Sequence, residues 1–445
     1  MRLRLPPSPA RPLLQKLIAA GLKAADPYET LLNSVSVDEH SLRVGRRTYD
    51  LSRVDRVIAV GAGKASARMA QALEQALGPR VDDGLVVVKT GHKLPTRRIV
   101  VLEAGHPIPD QAGLHATKRL LGLIHDLTPR DLLFVLLSGG ASSLLPAPVP
   151  GVTLTDKQRT TRLLLRSGAT INEINVVRKH LSLTKGGGLA ASTRARIVTL
   201  ILSDVIGDDL GSIGSGPTVA DPSTFAEAIG VLQRYRMWHA VPTAVRTHMQ
   251  QGQKGTVAET MKPGSRRLRS VHHHFIGNNQ MMLEAVASTA KRAGLHTKLL
   301  PTAITGEART AVKQLTNLLN SIVVGKGLLR RPCCVIAGGE TTVTVTGSGT
   351  GGRAQEFATA AALEIAGLPH TWVVALGTDG TDGPTDAAGG IVNGETVLLA
   401  KQVGVNLRLA LKRHDTYPAL KTLRCHIHTG PTGTNVNDLY LLLLL

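Results

Sequence analysis

Short apolar runs recur along this 445-residue chain, and most of them break into glycine. Residues 57–60 run into Gly61-Ala62-Gly63-Lys64, and 85–88 into Lys89-Thr90-Gly91. Residues 132–137 run into Ser138-Gly139-Gly140, and 197–202 into Ser203-Asp204. Continuous apolar runs of this length predict strands buried on both sheet faces. Helical spacing fills several gaps, at 65–77 and 111–127. Strands alternating with helices predict parallel βαβ units and an α/β fold.

Residues 247–270 break the rhythm with Gly, Pro and polar side chains, which predicts a linker. The alternation restarts with strands at 272–276, 296–300 and 333–337 and helices at 279–293, 306–319 and 354–366. Two α/β domains are therefore expected, at 1–246 and 271–445, with ligands held in the cleft between them. Near the N-terminus, Leu13, Leu14, Leu17, Ile18 and Leu22 fall at helical spacing, which predicts an amphipathic first helix of the folded domain rather than a transit peptide. The closing apolar run at 439–445 is too short to span a bilayer.

Composition adds limits. The chain is globular in character, at 42% hydrophobic and 19% charged residues. Its net charge of +20 raises nucleic-acid binding, but aromatic residues make up only 2%, too few for base-stacking platforms. The basic residues are spread along the chain, which favours anionic small-molecule substrates over nucleic acid. Cys333, Cys334 and Cys425 form no CxxC pair, so a disulfide framework is not expected, and a reducing cytoplasm fits.

The loops after the strands carry the chemistry. VGAGKAS at 60–66 lacks the third glycine of a dinucleotide fingerprint, and the next strand ends in Lys89 rather than an acid. Lys64 at a helix start suits phosphate or carboxylate; the plain alternative is a tight strand-to-helix turn. LLSGGASSLL at 136–145 offers free N–H groups and hydroxyls for phosphate. Asp204 directly follows a strand, where ligands gather in α/β sheets, whereas Asp208 and Asp209 suit capping or solvent. GSGTGGRAQEF at 347–357 places Arg353 at the opening of a helix, as a fork for carboxylate or phosphate. Asp379, Asp382 and Asp386 offer hard oxygen ligands for Mg²⁺, although aspartates among glycines also build turns. His272–His274 point alternately to opposite strand faces and cannot converge on one ion. These parts suit phosphoryl transfer, which needs positioning and charge stabilisation more than covalent chemistry.

Taken together, VGAGKAS, GHPIPD, LSGGASSLL, INEINVVRKHLS, KGGGLA, LSDVIGDDLGSIGSGPT, GGETTVTVTGSGTGGRAQE and GTDGTDGPTDAAGG resemble the class II glycerate kinase (MOFRL) family, in order, over about 13–440. The resemblance implies a Rossmann-like N-terminal domain, a C-terminal domain with the MOFRL region at about 330–440, and an active site in the interdomain cleft. It implies a glycerate 2-kinase that uses ATP and Mg²⁺ to convert D-glycerate to 2-phosphoglycerate. The family's lysine falls on Lys64 and its arginine on Arg353, with Asp204 as a third catalytic candidate. Gly61, Gly63, Ser138, Gly139, Gly140, Ser142, Gly339, Glu340, Thr341, Gly351 and Gly352 become binding candidates, and Asp379 and Asp382 metal candidates. Ala354 departs from the family's usual asparagine, and the basicity and closing leucines are also unexpected. A hydroxypyruvate reductase using NAD(P)H is the second reading and a nucleic-acid-binding protein the third. A homodimer stays open, and no membrane partner is expected.

Overall fold

The computed structural model describes residues 3–323 and 329–445. Two compact units emerge, one of Pro27–Ile276 and one of Met1–Asp26 with Gly277–Leu445.

The first unit is built on six strands: β1 (Val57–Ala62), β2 (Asp83–Lys89), β3 (Ile99–Ala104), β4 (Leu132–Leu137), β5 (Arg196–Leu202) and β6 (Val271–Gly277). They lie in the order β3-β2-β1-β4-β5-β6, with β1 to β5 parallel. This is the doubly wound nucleotide-fold order, and its direction reverses between β1 and β4. Every residue of β1 and β4 is buried, which explains why their sequences are apolar without alternation. Helix α1 (Arg11–Ala24) belongs to the other unit; in this one α2 (Ser66–Leu77) and α3 (Gln111–His125) follow β1 and β3. Leu120 and Ile124 of α3 join Val60, Val135 and Leu137 in the core. Two further helices, α4 (Leu154–Arg166) and α5 (Ile171–His180), each begin at a reciprocal capping box, Thr153 with Asp156 and Thr170 with Glu173.

The second unit has a mixed sheet of β7 (His296–Leu299), β8 (Ile304–Glu307), β9 (Cys333–Thr342), β10 (Thr371–Gly377), β11 (Gly389–Asn393), β12 (His426–Ile427) and β13 (Asp438–Leu444). The path is β7-β9-β13-β10-β11-β12, and β8 also pairs with β9. The leucine run 439–444 is the middle strand, antiparallel to both β9 and β10 and fully buried. Each fully buried leucine there contributes about 1.5–3 kcal/mol of burial free energy, so this run is core. Helices α6 (Asn279–Arg292) and α7 (Arg353–Glu364) also belong to this unit.

Three details differ from the sequence reading. Strand β6 takes the edge beside β5, so residues 271–276 complete the first sheet instead of opening the second domain. The amphipathic α1 forms as its spacing predicts, but Gly21 packs against Met282 and Val286 of α6, which places the first 26 residues with the second unit. The segment 247–270 is only partly irregular, since a helix covers Thr243–Gln253 and a short 3-10 turn Arg266–Ser270. Polar composition concealed that helix, whose buried side is only Val245, His248, Met249 and Gly252. Among the described residues, no helix is long and apolar enough to cross a membrane.

Candidate active site

In the first unit the sequence candidates converge where the strand order reverses. Strands β1 and β4 are neighbours, and their C-terminal loops carry Gly63-Lys64 and Ser138-Gly139-Gly140. The loops are tied together: Lys64 N–H donates to the Gly139 carbonyl at 2.9 Å, and Ala65 N–H to Ser138 Oγ at 3.0 Å. A side chain at Gly63, where φ is +143°, would place its Cβ 2.0 Å from Ser138 Oγ. Gly61 lies within β1 and builds the crossing, whereas Ser138 is largely buried but borders a cavity. Gly139 is the contact with Asp204: a Cβ there would lie 2.0 Å from Asp204 Oδ2. Gly140 faces His106 and the Lys64 stem.

Lys64 and Lys89 gather at this end, together with the Asp204 carboxylate beside Gly139. Burial pushes the His106 imidazole down to about 4, assisted by Lys64, Lys89 and His92. His106 is therefore neutral at neutral pH, while the lysines keep the region positive. The His92 ring lies 3.2 Å from the Lys64 carbonyl. Such a field, with glycine N–H groups at a strand reversal, suits an oxyanion. The Lys89 cation occupies the place where a dinucleotide site carries its ribose-binding acid, which disfavours nicotinamide chemistry.

A cavity of about 500 Å³ adjoins this end, lined by Ser138–Ser142, Asn175, Arg178, Asp204, Asp209 and Ser215 among others. Asp209 also accepts from Ser212 Oγ at 2.6 Å, the turn-making role its position suggests. Arg178 was not singled out as a site residue from sequence, although its helix start was marked by T-x-x-E at 170–173.

The second unit gathers a different set around a cavity of about 510 Å³, including Gly351, Gly352, Arg353, Asp379, Asp382 and Asp438. Arg353 opens α7, as its loop predicts, but its fork is occupied. Nε and Nη2 donate to the two Asp438 oxygens, both at 2.9 Å, and Nη1 donates to Glu340 at 2.6 Å. Tyr440 O–H also donates to Asp438 at 2.9 Å. Burial pushes the Asp438 carboxyl up, to about 7, against the pull of Arg353. The two acids hold the Arg353 guanidinium firmly charged against the cost of burial. Glu340 further accepts from Asn437 at 3.1 Å. Asp438 was missed in the sequence because it begins a strand; β13 runs antiparallel, so Asp438 lies beside Gly339 and Gly377, near the C-terminal ends of β9 and β10.

The three aspartates at 379–386 separate. Asp382 is buried and accepts from Ala354 N–H, Gln355 N–H and the Gln355 amide, at 2.9–3.0 Å. It closes the N-terminus of α7 from a distance, and burial raises its carboxyl. Gly352 leaves room for it, since a Cβ there would lie 2.3 Å from Asp382 Cγ. The metal role expected of Asp382 therefore competes with a committed structural one. Asp379 lines the cavity, with Oδ1 accepting from Thr381 N–H at 3.1 Å. Asp386 is outside this group: it accepts from Tyr417 O–H at 2.7 Å beside a separate cavity. Gly339 and Thr341 are sheet residues; Thr341 Oγ1 lies 3.1 Å from the buried Tyr440 hydroxyl. Ala354, where the family carries asparagine, is fully buried in the core cluster. A further pair was not anticipated: buried His414 Nδ1 lies 2.5 Å from Glu356 Oε1, and its Nε2 lies 3.1 Å from Thr346 Oγ1.

Among the described residues, no three His, Cys, Asp or Glu side chains cluster as metal ligands. The three cysteines are buried free thiols. His272 and His273 instead face Tyr49 and Thr218, at 3.2 and 3.0 Å.

Residues 13–250 match a domain of unknown function (DUF4147), and residues 333–438 match the MOFRL family. A glycerate 2-kinase of Pyrococcus horikoshii is 42% identical, covering 95% of this chain and 95% of its own. A D-glycerate 2-kinase of Thermotoga maritima is 42% identical, covering 89% of this chain and 93% of its own. A protein of Agrobacterium vitis with a provisional hydroxypyruvate reductase name is 40% identical, covering 98% of this chain and 94% of its own. The crystal structure of a glycerate kinase from Thermotoga maritima superposes with a TM-score of 0.88 at 39% identity, covering 99% of this chain and all of that one.

Proposed function

The chain belongs to the class II glycerate kinase family of DUF4147 and MOFRL proteins, and from that premise we propose that it phosphorylates D-glycerate at its 2-hydroxyl with ATP. The observation that carries the reading is the cationic strand-reversal site, where Lys64 adjoins Gly139 and Gly140 at the ends of β1 and β4. In the proposed reaction the glycerate 2-hydroxyl oxygen bonds to the γ-phosphorus. The bond from that phosphorus to the bridging oxygen breaks, and ADP leaves. Asp204, against Gly139, is proposed to take the hydroxyl proton.

Lys64 is proposed to neutralise charge building on the transferring phosphoryl oxygens, which is the main need of this chemistry. Gly139, Gly140 and Ser142 are proposed to bind through loop N–H groups, the Ser142 hydroxyl being held between Arg178 and Ser215. Arg353 is required as well, as the charged centre of an acid-held network, with Glu340, Gly351 and Gly352 shaping its surroundings. Its fork is proposed to be fixed by Asp438 so that its remaining N–H edge meets an anion in one orientation.

Mg²⁺ fits sparingly. The ion typically takes one or two protein carboxylates and completes its shell with water and substrate phosphates. Asp379, which lines the cavity, suits that donor set, whereas Asp382 is already bonded through both oxygens. When bound with the nucleotide, Mg²⁺ would neutralise phosphate charge. The buried free thiols are in keeping with a reducing cytoplasm, where we place the enzyme. ADP release in a coupled assay with ATP, Mg²⁺ and D-glycerate tests the reading. Glycerate-independent ADP release, or none, would sink it.

A further inference from the structure

Behind the loop 138–142 the first unit holds three basic side chains, buried Lys157 and Lys185 and half-buried Arg178, with no salt-bridged carboxylate among the described residues. Lys157 is 4% exposed and Lys185 2%. Among the described residues, Lys157 Nζ and Arg178 Nε have no hydrogen-bond partner. Lys185 Nζ donates to the Ser142 carbonyl at 2.6 Å, and Arg178 Nη2 to Ser142 Oγ at 2.7 Å. Ser142 Oγ also lies 2.8 Å from Ser215 Oγ, which donates to Asn175 Oδ1 at 3.1 Å. That bond uses the Asn175 oxygen and leaves its amide N–H groups for the cavity. Ser142, Asn175, Arg178 and Ser215 all line the cavity of about 500 Å³.

Two carboxylates share the cavity lining: Asp209, which accepts from Ser212 Oγ at 2.6 Å, and Asp204, which lies against Gly139. The acids outside it are engaged elsewhere. Asp221 pairs with Lys179 at 3.3 Å, Glu173 with Arg234 at 2.6 Å, and Glu259 with His180 and Lys262, both at 3.0 Å. The three cations feel one another: burial lowers the Lys185 ammonium well below its ordinary range, and Arg178 and Lys157 lower it further. Buried amines escape the cost of unpaired charge by losing a proton, but a guanidinium cannot, so Arg178 at the cavity wall calls for an anion from outside.

We infer that Arg178 and the Asn175 amide, held in place by Ser142 and Ser215 and with Lys157 and Lys185 behind them, form a built oxyanion site for a phosphate or carboxylate group of a reactant. The assignment to a reactant rests on the kinase reading; the anion site itself does not. Clustered cations match the several charges of the nucleotide's phosphates better than the single charge of glycerate's carboxylate. Arg178 is the contact residue. Lys157 and Lys185 do not line the cavity; they are positioning residues, Lys185 through its bond to the Ser142 carbonyl, and an anion in the cavity would favour the charged form of Lys157.

Titration with inorganic pyrophosphate by calorimetry tests the site independently of turnover. Arg178→Gln removes a charge-assisted contact, so the pyrophosphate Kd should rise about ten- to a hundred-fold. Lys157→Met keeps the arginine but removes an unpaired buried charge. Its ligand-free Tm should rise while its pyrophosphate Kd rises at least several-fold, an opposition that a purely structural lysine would not produce. In steady-state kinetics, a selective increase in KM for ATP assigns the site to the nucleotide phosphates, and a selective increase in KM for glycerate assigns it to the carboxylate. Wild-type pyrophosphate affinity in a folded Arg178→Gln, or a lower Tm in Lys157→Met with unchanged affinity, would overturn the inference. Anion binding that persists without any kinase activity would refute the kinase reading alone.

Discussion

Asp438→Asn isolates the contact that organises the second unit. Asp438 is fully buried and receives three hydrogen bonds, two from Arg353 and one from Tyr440, each at 2.9 Å. Asparagine keeps the shape but loses the charge, and its amide N–H₂ would face at least one of those donors. Removing one partner of a buried pair costs about 3–5 kcal/mol. The Arg353 side chain is 33% exposed and keeps Glu340 at 2.6 Å, so water and that acid absorb part of the loss. The expected destabilisation is thus about 3 kcal/mol, at the lower end of that range. Urea unfolding can be followed by Trp372 on β10, two residues from Val374 and next to the β13 strand, in a Trp238→Phe background that leaves one tryptophan. A cycle with Arg353→Met should give a coupling of about 2–3 kcal/mol, because the double variant no longer buries an unpaired charge. Turnover should fall in every variant. A single variant within about 0.5 kcal/mol of wild type, the scatter expected of ordinary surface changes, would refute the argument that Asp438 holds Arg353.

Three further outcomes follow from the same geometry. Lys64→Ala should reduce kcat by about a hundred- to a thousand-fold with an unchanged unfolding transition; near wild-type turnover would remove Lys64 from the reaction. Gly139→Ala drives a methyl into Asp204 and should abolish most activity, whereas Gly122→Ala on the exposed face of α3, where a Cβ meets nothing within 4 Å, should stabilise by about 0.5–1 kcal/mol and leave turnover intact. Burial, with Arg178 adding to it, pushes the Lys157 ammonium down to about 7 from 10.5. Its penalty is therefore full below pH 7 and lifts as pH rises towards 10.5, because the unfolded state then holds a proton that the folded state has released. The stability advantage of Lys157→Met, measured by denaturant unfolding at pH 6 and pH 10, should shrink with rising pH by on the order of 1 kcal/mol per unit; a constant advantage would contradict the burial of that charge.

Much of the first unit was legible because its strands are parallel and buried on both faces. An apolar run ending in glycine then marks both a strand and the end at which ligands gather, which brought Lys64, Gly139 and Asp204 forward together. The second unit is less legible because β13 runs against its neighbours. The leucines at 439–444 gave a clear apolar run, but the acid that matters, Asp438, precedes it, so a rule about strand C-terminal ends passed over it. Arg353 could be placed at a helix start, but its partners lie 13 and 85 residues away in sequence, beyond any local pattern. Asp382 resembled a metal ligand because its loop is rich in glycine and acid; those glycines instead allow close approach to the α7 N-terminus. Arg178 stayed hidden because a basic residue on a helix ordinarily faces solvent, and only the burial of Lys157 and Lys185 nearby changes that meaning.

The central claim is phosphoryl transfer to the 2-hydroxyl of glycerate. Phosphorus NMR of the product formed from ATP, Mg²⁺ and D-glycerate tests it most directly. The account predicts 2-phosphoglycerate and ADP in equal amounts. Formation of 3-phosphoglycerate, or no phosphorylated product alongside NAD(P)H oxidation with hydroxypyruvate, would contradict it.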